Sequence, residues 1–395
     1  MLFTGRSSLT CKGYINRSSA RLIKESFLRC VLRGSGNLQN RDSLSIGTAM
    51  LRSGYRLGSK LIAKIKIPQL FHSLAYQDEL TVIMYHGIIK DPLMVNEWCF
   101  VEEHFFRVQI AYLKKHFEII SLSEAVERMR GGGIKRPTAV ITFDDGYQNN
   151  FDVAFPILLR ERIPATIFLT TGLINTNDTV WYCRFNIALS QTRRLHMEWN
   201  GFKFDLSTLD LRAKASVAIQ ESLKKLGQSQ LMTTLRDIIL RLDGDPDCSI
   251  ETDSPFRMLD KTAIAEMAGS ELIEFGAHTH THAILSQLSD KERYNEIRQS
   301  IGTVYELTGR PCRCFAYPNG RAEDYNMETI RDLESCGIQI GVTTISGPNN
   351  RMTPAMELRR YGIGADLFMA RFQLMVHHFF SKVHRGSDFL LDKSS

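Results

Sequence analysis

The sequence predicts an α/β fold in which parallel βα units close into a distorted barrel, with a helical insertion partway along. Three observations predict it. From Leu80 onward, short β-branched and aromatic runs alternate with segments of helical period, and such alternation implies parallel crossover units. The run Thr138 to Phe143, bounded upstream by Pro137, reads as a buried strand that gives way to a loop at Asp144. The rhythm then breaks between Val180 and Asp247, where Leu209 to Leu242 is rich in Ala, Leu, Lys, Gln and Arg at helical spacing. The chain is expected to divide into a basic, partly disordered N-terminal extension (1–75), a barrel (76–365) with its helical insertion over about 175–255, and a C-terminal amphipathic helix and tail (366–395).

The elements follow in order. Leu80 to Tyr85 is the first strong strand, ending in His86 and Gly87. Phe100 to Phe117 places Phe105, Val108, Tyr112 and Leu113 at a helical period. Glu118 to Ser121 is a short strand. Ser121 or Ser123 caps the next helix, which carries Ala125, Val126 and Met129 and stops at Gly131-Gly132-Gly133. Asn150 to Arg160 is helical and Ala165 to Leu169 a strand. Beyond the insertion come a helix near Thr262 to Ala268 and a strand at Ile273 to Ala277 leading into His278. A long helix from Asp290 to Thr308 carries Tyr294, Ile297, Ile301, Val304 and Tyr305 on one face. Cys314 to Tyr317 is a strand running into a turn at Pro318, and a helix near Tyr325 to Ser335 leads to a strand from Ile340. The last helix is expected over Asp366 to Val383.

Composition sets the bounds. The 395 residues are 43% hydrophobic and 23% charged, ordinary for a globular protein. There is no apolar run of about 18 residues, so no membrane-spanning helix is expected. None of the eight cysteines forms a C-x-x-C pair, which argues against a zinc ribbon, and a reduced, cytoplasmic chain is expected. Charge is uneven. Residues 1–66 hold 13 Lys and Arg against Glu25 and Asp42, a net of +11 in a chain of +6, so the remainder is net −5. The extension reads as an organellar transit segment, as an upstream extension preceding Met50, or as a patch for peripheral contact with an anionic membrane. Leu51 to Leu74 reads as an amphipathic helix broken at Pro68. No nucleic-acid partner is expected, and the oligomeric state is not legible.

Two clusters carry chemistry. Asp144 and Asp145 are adjacent at a strand end, where successive side chains diverge. One carboxylate can hold a metal while the other faces a reacting water; the alternative is a turn whose Asp residues cap a helix. The second cluster is His278-Thr279-His280-Thr281-His282. Residues i and i+4 share a face of a helix and also of a strand, so His278 and His282 can converge on one ion under either. Two imidazoles and one carboxylate leave an open position for water, the pattern of a catalytic site. The His-x-His-x-Asp-His set of the metallo-β-lactamase fold is excluded, because Ala283 and Ile284 stand where its Asp and His are needed.

At these residues the sequence resembles the polysaccharide deacetylases, the nodulation-type carbohydrate esterases. Thr142-Phe-Asp-Asp-Gly146 resembles their first motif, Gly276-Ala-His-Thr-His-Thr-His282 their second, and Phe315-Ala-Tyr-Pro-Asn-Gly320 a variant of their third. The resemblance runs from about Leu80 to Gly364. It implies a distorted (β/α) barrel and metal-dependent removal of N-acetyl groups from an amino sugar in a polysaccharide or lipid-linked precursor. It also implies that Asp145, His278 and His282 hold a divalent metal, zinc first, with iron, cobalt or nickel as alternatives. Asp144 is then the general base, a backbone N–H near Asn319 stabilises the oxyanion, and Tyr317 and Tyr147 lie beside the substrate. The sequence departs from the family in three places. No late Leu-x-His motif is evident after Gly364, whereas Met84-Tyr85-His86-Gly87 resembles the permuted members whose His-bearing strand comes first. His86 is therefore the candidate general acid, and His377-His378 is read as part of a basic surface helix. Ala316 stands where many relatives have an Arg that orients the base, leaving Arg313 and Arg359 as substitutes. The aspartate–tryptophan motif is missing, with Val342-Thr-Thr and Leu358-Arg-Arg in its region. These departures keep two alternatives open: a catalytically silent carbohydrate-binding relative, and an O-acetyl esterase or non-sugar amidase on the same scaffold.

Overall fold

The computed structural model describes residues 78–379. The basic extension, the helix expected over 51–74 and the chain after 379 lie outside the described residues. β1 (Leu80–Tyr85) is followed by β2 (Gly87–Ile89), β3 (Phe100–Glu102), α1 (Glu103–His116), β4 (Glu118–Ile119), α2 (Leu122–Arg130), β5 (Thr138–Phe143), α3 (Phe155–Glu161) and β6 (Ala165–Leu169). Then come α4 (Trp181–Gln191), β7 (His196–Trp199), β8 (Phe202–Asp205), α5 (Leu209–Leu223) and α6 (Gln228–Arg241). The chain continues through α7 (Lys261–Gly269), β9 (Ile273–Ala277), α8 (Asp290–Thr308), β10 (Cys314–Ala316), α9 (Met327–Ser335), β11 (Ile340–Val342), β12 (Tyr361–Gly362) and α10 (Met369–Val376).

The main sheet is parallel throughout, in the order β11-β10-β9-β6-β5-β1-β12, with β4 also beside β5. Its two ends meet through one segment. Leu358 bridges to Val342 beside β11, and three residues later Tyr361 pairs with Ile83 of β1. The Leu358 amide reaches Gly341 O at 2.9 Å and the Thr343 amide reaches Leu358 O at 2.8 Å. This strap closes the distorted barrel that the alternation of elements predicts. Every residue of β1 and β5 is buried, which explains why these strands are continuous apolar runs rather than alternating ones.

Register sets the active rim. β1 and β5 pair from Leu80–Thr138 to Tyr85–Phe143, so His86 and Asp144 emerge level at the C-terminal ends of adjacent strands. β6 and β9 end level at Leu169–Ala277, so His278 emerges on the same rim. Functional groups collect there because the loops after parallel strands share one face.

Several elements differ in detail from the sequence reading. The predicted helix from Phe100 begins as strand β3, because Phe100 pairs with Gly87. Asn150 to Ala154 forms a π-turn before α3. Ser121 is the cap of α2, while Ser123 donates instead to Glu274. On α8, Ile297 and Val304 are buried, but Tyr294 and Tyr305 are exposed, so the apolar stripe is narrower than its aromatic content suggests. α10 begins at Met369 rather than Asp366. The insertion is not wholly helical: Asn200-Gly201, both at positive φ, turn the β7–β8 hairpin, and an Asn-Gly pair between alternating runs is the sequence signal for it. His377 and His378 require a correction. They are not on a basic surface but buried, because His378 bonds Thr81 Oγ1 at 3.0 Å and the Tyr361 hydroxyl at 2.8 Å, and His377 bonds the Tyr112 hydroxyl at 2.9 Å.

Candidate active site

β5 delivers the Asp pair. The Asp144 amide is tied to Tyr85 O at 3.0 Å, and Asp145 (φ 72) and Gly146 (φ 85) then take left-handed conformations. A side chain at 146 would place its Cβ 2.8 Å from Leu169 Cδ2, so glycine is required at this turn. The turn sends the two carboxylates apart, and both are buried.

The histidines come from the loop after β9. Neither a helix nor a strand brings them together, in contrast to either period the spacing allows. Thr279 and His282 take positive φ, and Glu296 of α8 accepts from the His280 amide, the Thr281 amide and the Thr281 hydroxyl at 2.8–2.9 Å. His280 is engaged at both ring nitrogens, by Thr171 Oγ1 and Gln299 Nε2, each at 3.0 Å. The middle imidazole therefore braces the loop and the outer two face the site. The Nδ1–H of His278 donates to Ala316 O at 2.7 Å, which leaves the Nε2 lone pair pointing at Asp145.

His278 Nε2 lies 3.4 Å and His282 Nε2 3.3 Å from Asp145 Oδ1. One ligand atom from each of the three residues falls within 4.8 Å of the others. Asp145 Oδ1 is buried and has no hydrogen bond, while Oδ2 accepts the Tyr182 hydroxyl. Burial pushes the Asp145 carboxyl up, but His282 and its neighbours overcome this and hold it well below the usual carboxylate range. Burial pushes His278 down to about 4. An ionised carboxylate oxygen lacking a donor, beside the Nε2 atoms of two imidazoles, fits a divalent first-row cation.

Asp144 is held by a residue that the sequence reading passed over. Arg360 on the closing strap forms a two-pronged pair with it, Nη1 to Oδ1 and Nη2 to Oδ2, both at 2.7 Å. Arg360 Nε donates to Thr343 O, and Nη1 also to Thr142 Oγ1. Arg360 is fully buried, whereas Arg313 and Arg359 are exposed, so neither proposed substitute reaches the base. Burial raises the Asp144 carboxyl, yet Arg360, His278 and His86 together leave it below its ordinary value.

The site opens into a cleft. His86, Tyr317 and Asn319 line it. The His86 ring packs edge-on to Trp98 at 5.2 Å, and its Nδ1 is buried without a hydrogen bond. Burial lowers the His86 pKa against the opposing pull of Asp145 and Asp144. Tyr317 presents its ring only, since its hydroxyl donates to Met356 O at 2.9 Å. The Tyr317 and Gly320 amides are committed to Val342 O and Pro318 O, which narrows the expected oxyanion donor to the Asn319 amide. Tyr147 is the exception among the expected site residues. It is fully buried behind Asp145, in contact with Phe100 and Tyr182, so it does not border the substrate. The insertion supplies one wall, through Trp181, Tyr182, Gln220, Lys224, Gln228 and Leu231.

A (β/α) barrel with two histidines and an aspartate converging at its C-terminal rim defines the class. Residues 131–341, over half of the chain, match the family model described as polysaccharide deacetylase. The chain belongs to the polysaccharide deacetylase family. It is 31% identical over 114 residues to the poly-beta-1,6-N-acetyl-D-glucosamine N-deacetylase of Staphylococcus epidermidis, a match covering 29% of this chain and 38% of that protein's length. It is 22% identical over 277 residues to the putative polysaccharide deacetylase YxkH of Bacillus subtilis, covering 69% and 67%. Among solved structures, the Streptococcus pyogenes deacetylase PplD in complex with acetate superposes with a TM-score of 0.50 at 18% identity, covering 75% of this chain and 98% of that one. That likeness concerns the fold.

Proposed function

We propose that this protein is a metal-dependent hydrolase that removes N-acetyl groups from an amino sugar of a glycan, cleaving a carbon–nitrogen bond that is not a peptide bond. The observation that carries the reading is the buried Asp145 Oδ1, without a donor, between His278 Nε2 and His282 Nε2, one residue from a carboxylate held by Arg360. Asp145, His278 and His282 would hold the ion, zinc first and iron, cobalt or nickel next. A bound divalent ion supplies Lewis acidity to the acetyl carbonyl and lowers the pKa of water. Asp144 takes the proton of the attacking water, and Arg360 fixes its orientation and keeps it ionised. The Asn319 amide faces the developing oxyanion. His86, level with Asp144 at the end of the neighbouring strand, gives the proton that the departing amine requires. Each step leaves the proton count balanced: one taken from water by Asp144, one given to nitrogen by His86.

The name of the staphylococcal relative makes poly-β-1,6-linked N-acetylglucosamine the first substrate to test. Acetate release from such oligomers by zinc- or cobalt-loaded protein is expected, and no release from these or related glycans overturns the substrate class. The missing family Arg was a reason to weigh a silent binding relative; Arg360 occupies that role in space and favours turnover. Parallel assays on O-acetyl esters separate an esterase from an amidase. Contact of the basic extension with an anionic membrane stays a proposal, checked by co-sedimentation with anionic vesicles at low salt. No described helix is long and apolar enough to cross a membrane.

A further inference from the structure

Asp145 has two carboxylate oxygens, and Oδ1 is the one facing the imidazoles. Oδ2 accepts the hydroxyl of Tyr182, which belongs to α4 of the insertion. The Tyr182 hydroxyl lies 2.7 Å from that of Tyr147, which lies 3.2 Å from Cys183 Sγ. All four residues are buried. The proton count sets the direction of these bonds. An ionised carboxylate only accepts, and each tyrosine has one hydroxyl proton. Tyr182 gives its proton to Asp145, so Tyr147 donates to Tyr182 and the Cys183 thiol donates to Tyr147.

We propose that this one-way chain, from Cys183 through Tyr147 and Tyr182 to Asp145, is a positioning relay by which the insertion fixes the carboxylate of the metal centre. The proposal rests on the metal-dependent reading above. Its physical basis is the rotation of the carboxylate. With Oδ2 held by Tyr182, Oδ1 stays between the two imidazoles. Aligned hydroxyl dipoles in a dry interior also strengthen one another. His278 is held in the same manner by Ala316 O, so two of the three ligand side chains have a fixed orientation before any ion arrives. Without the Tyr182 oxygen, Oδ2 is buried with no donor and the carboxylate is free to turn. Tyr182 and Cys183 lie in the insertion and Tyr147 in the barrel, so the relay joins the two parts of the chain at the site itself.

The test measures zinc affinity by competition with a chromophoric chelator, alongside thermal melts of the metal-free proteins. Tyr182→Phe is expected to bind zinc about 10–100-fold more weakly than wild type, with one cooperative melting transition retained. Tyr147→Phe, one bond further away, is expected to lose less, and Cys183→Ala least, with Cys183→Ser restoring the wild-type value. A Tyr182→Phe protein that melts at a lower temperature yet binds zinc as tightly as wild type overturns the relay and leaves Tyr182 a packing residue. If Tyr182→Phe does not fold, Tyr147→Phe decides, and unchanged zinc affinity there overturns the relay. A wild type that binds no divalent ion takes the relay down together with the metal reading, an outcome distinguishable from the other two.

Discussion

Two pairs of histidines stand at opposite ends of the barrel, and their neighbours differ. At the C-terminal rim, His278 and His282 turn Nε2 toward a carboxylate oxygen that has no hydrogen bond. At the other end, beside Thr81 near the start of β1, His378 is bonded at both ring nitrogens and His377 is bonded to Tyr112, all through hydroxyls. A hydroxyl donates or accepts to suit a neutral imidazole, so these contacts call for no cation. At the upper pair, lone pairs meet a carboxylate, and a cation resolves that arrangement. Sequence does not separate the two pairs, since both are closely spaced histidines near apolar runs. The partner atoms separate them.

The largest expected effect falls on the upper pair and the adjacent base. His282→Ala is expected to lose bound metal and turnover together, whereas Asp144→Asn keeps metal and loses about 10²–10⁴-fold in kcat. Elemental analysis beside an acetate-release assay checks both, and equal metal content in the two variants breaks the division of roles. Next is Arg360→Met, which leaves Asp144 buried without its counter-ion. A loss of about 3–5 kcal/mol in denaturant unfolding is expected. Asp144 also loses the neighbour that depresses its pKa, so the acid limb of the pH–rate profile moves to higher pH in whatever fraction folds.

A third expectation concerns pH. In the metal-free folded chain His278 titrates at about 4, against about 6.5 unfolded. The unfolded state therefore binds the proton first. The stability His278 contributes is whole above pH 6.5 and is lost as pH falls from there toward 4, on the order of 3 kcal/mol. The depressed carboxyls of Asp144 and Asp145 add to the loss further down. Thermal melts in chelator between pH 7.5 and 4.5 read this out, and a His278→Gln variant is expected to show a flatter curve. The smallest effect belongs to the lower pair. His378→Phe leaves Thr81 and Tyr361 without their shared partner and is expected to cost about 1–3 kcal/mol. Its metal content should match wild type; a fall there would erase the contrast between the two ends.

How much of this was legible in the sequence depended on whether a signal was local. The Asp pair and the His cluster each occupy a few consecutive residues at a strand end, and the run of alternating elements gave the barrel. Arg360 was not legible because its partner lies 216 positions away. Two arginines stand side by side before a two-residue strand, and alternation turns one inward and one outward without saying which. Tyr182 and Tyr147 were missed as a pair because neither carries a motif; only the fold puts their hydroxyls 2.7 Å apart. The hairpin in the insertion was legible, but the helical composition around it outweighed a two-residue turn signal. His280 reads like its neighbours in sequence, and only Thr171 and Gln299 mark it as a brace.

The strap that closes the sheet also joins residues far apart in the chain. Translation delivers Asp144 more than two hundred residues before Arg360, so a growing chain holds a carboxylate destined for the interior with no cation to accompany it. The guanidinium that sets the base thus arrives with the strand that closes the sheet, and a chain cut short before residue 360 would lack both the closure and the partner of Asp144.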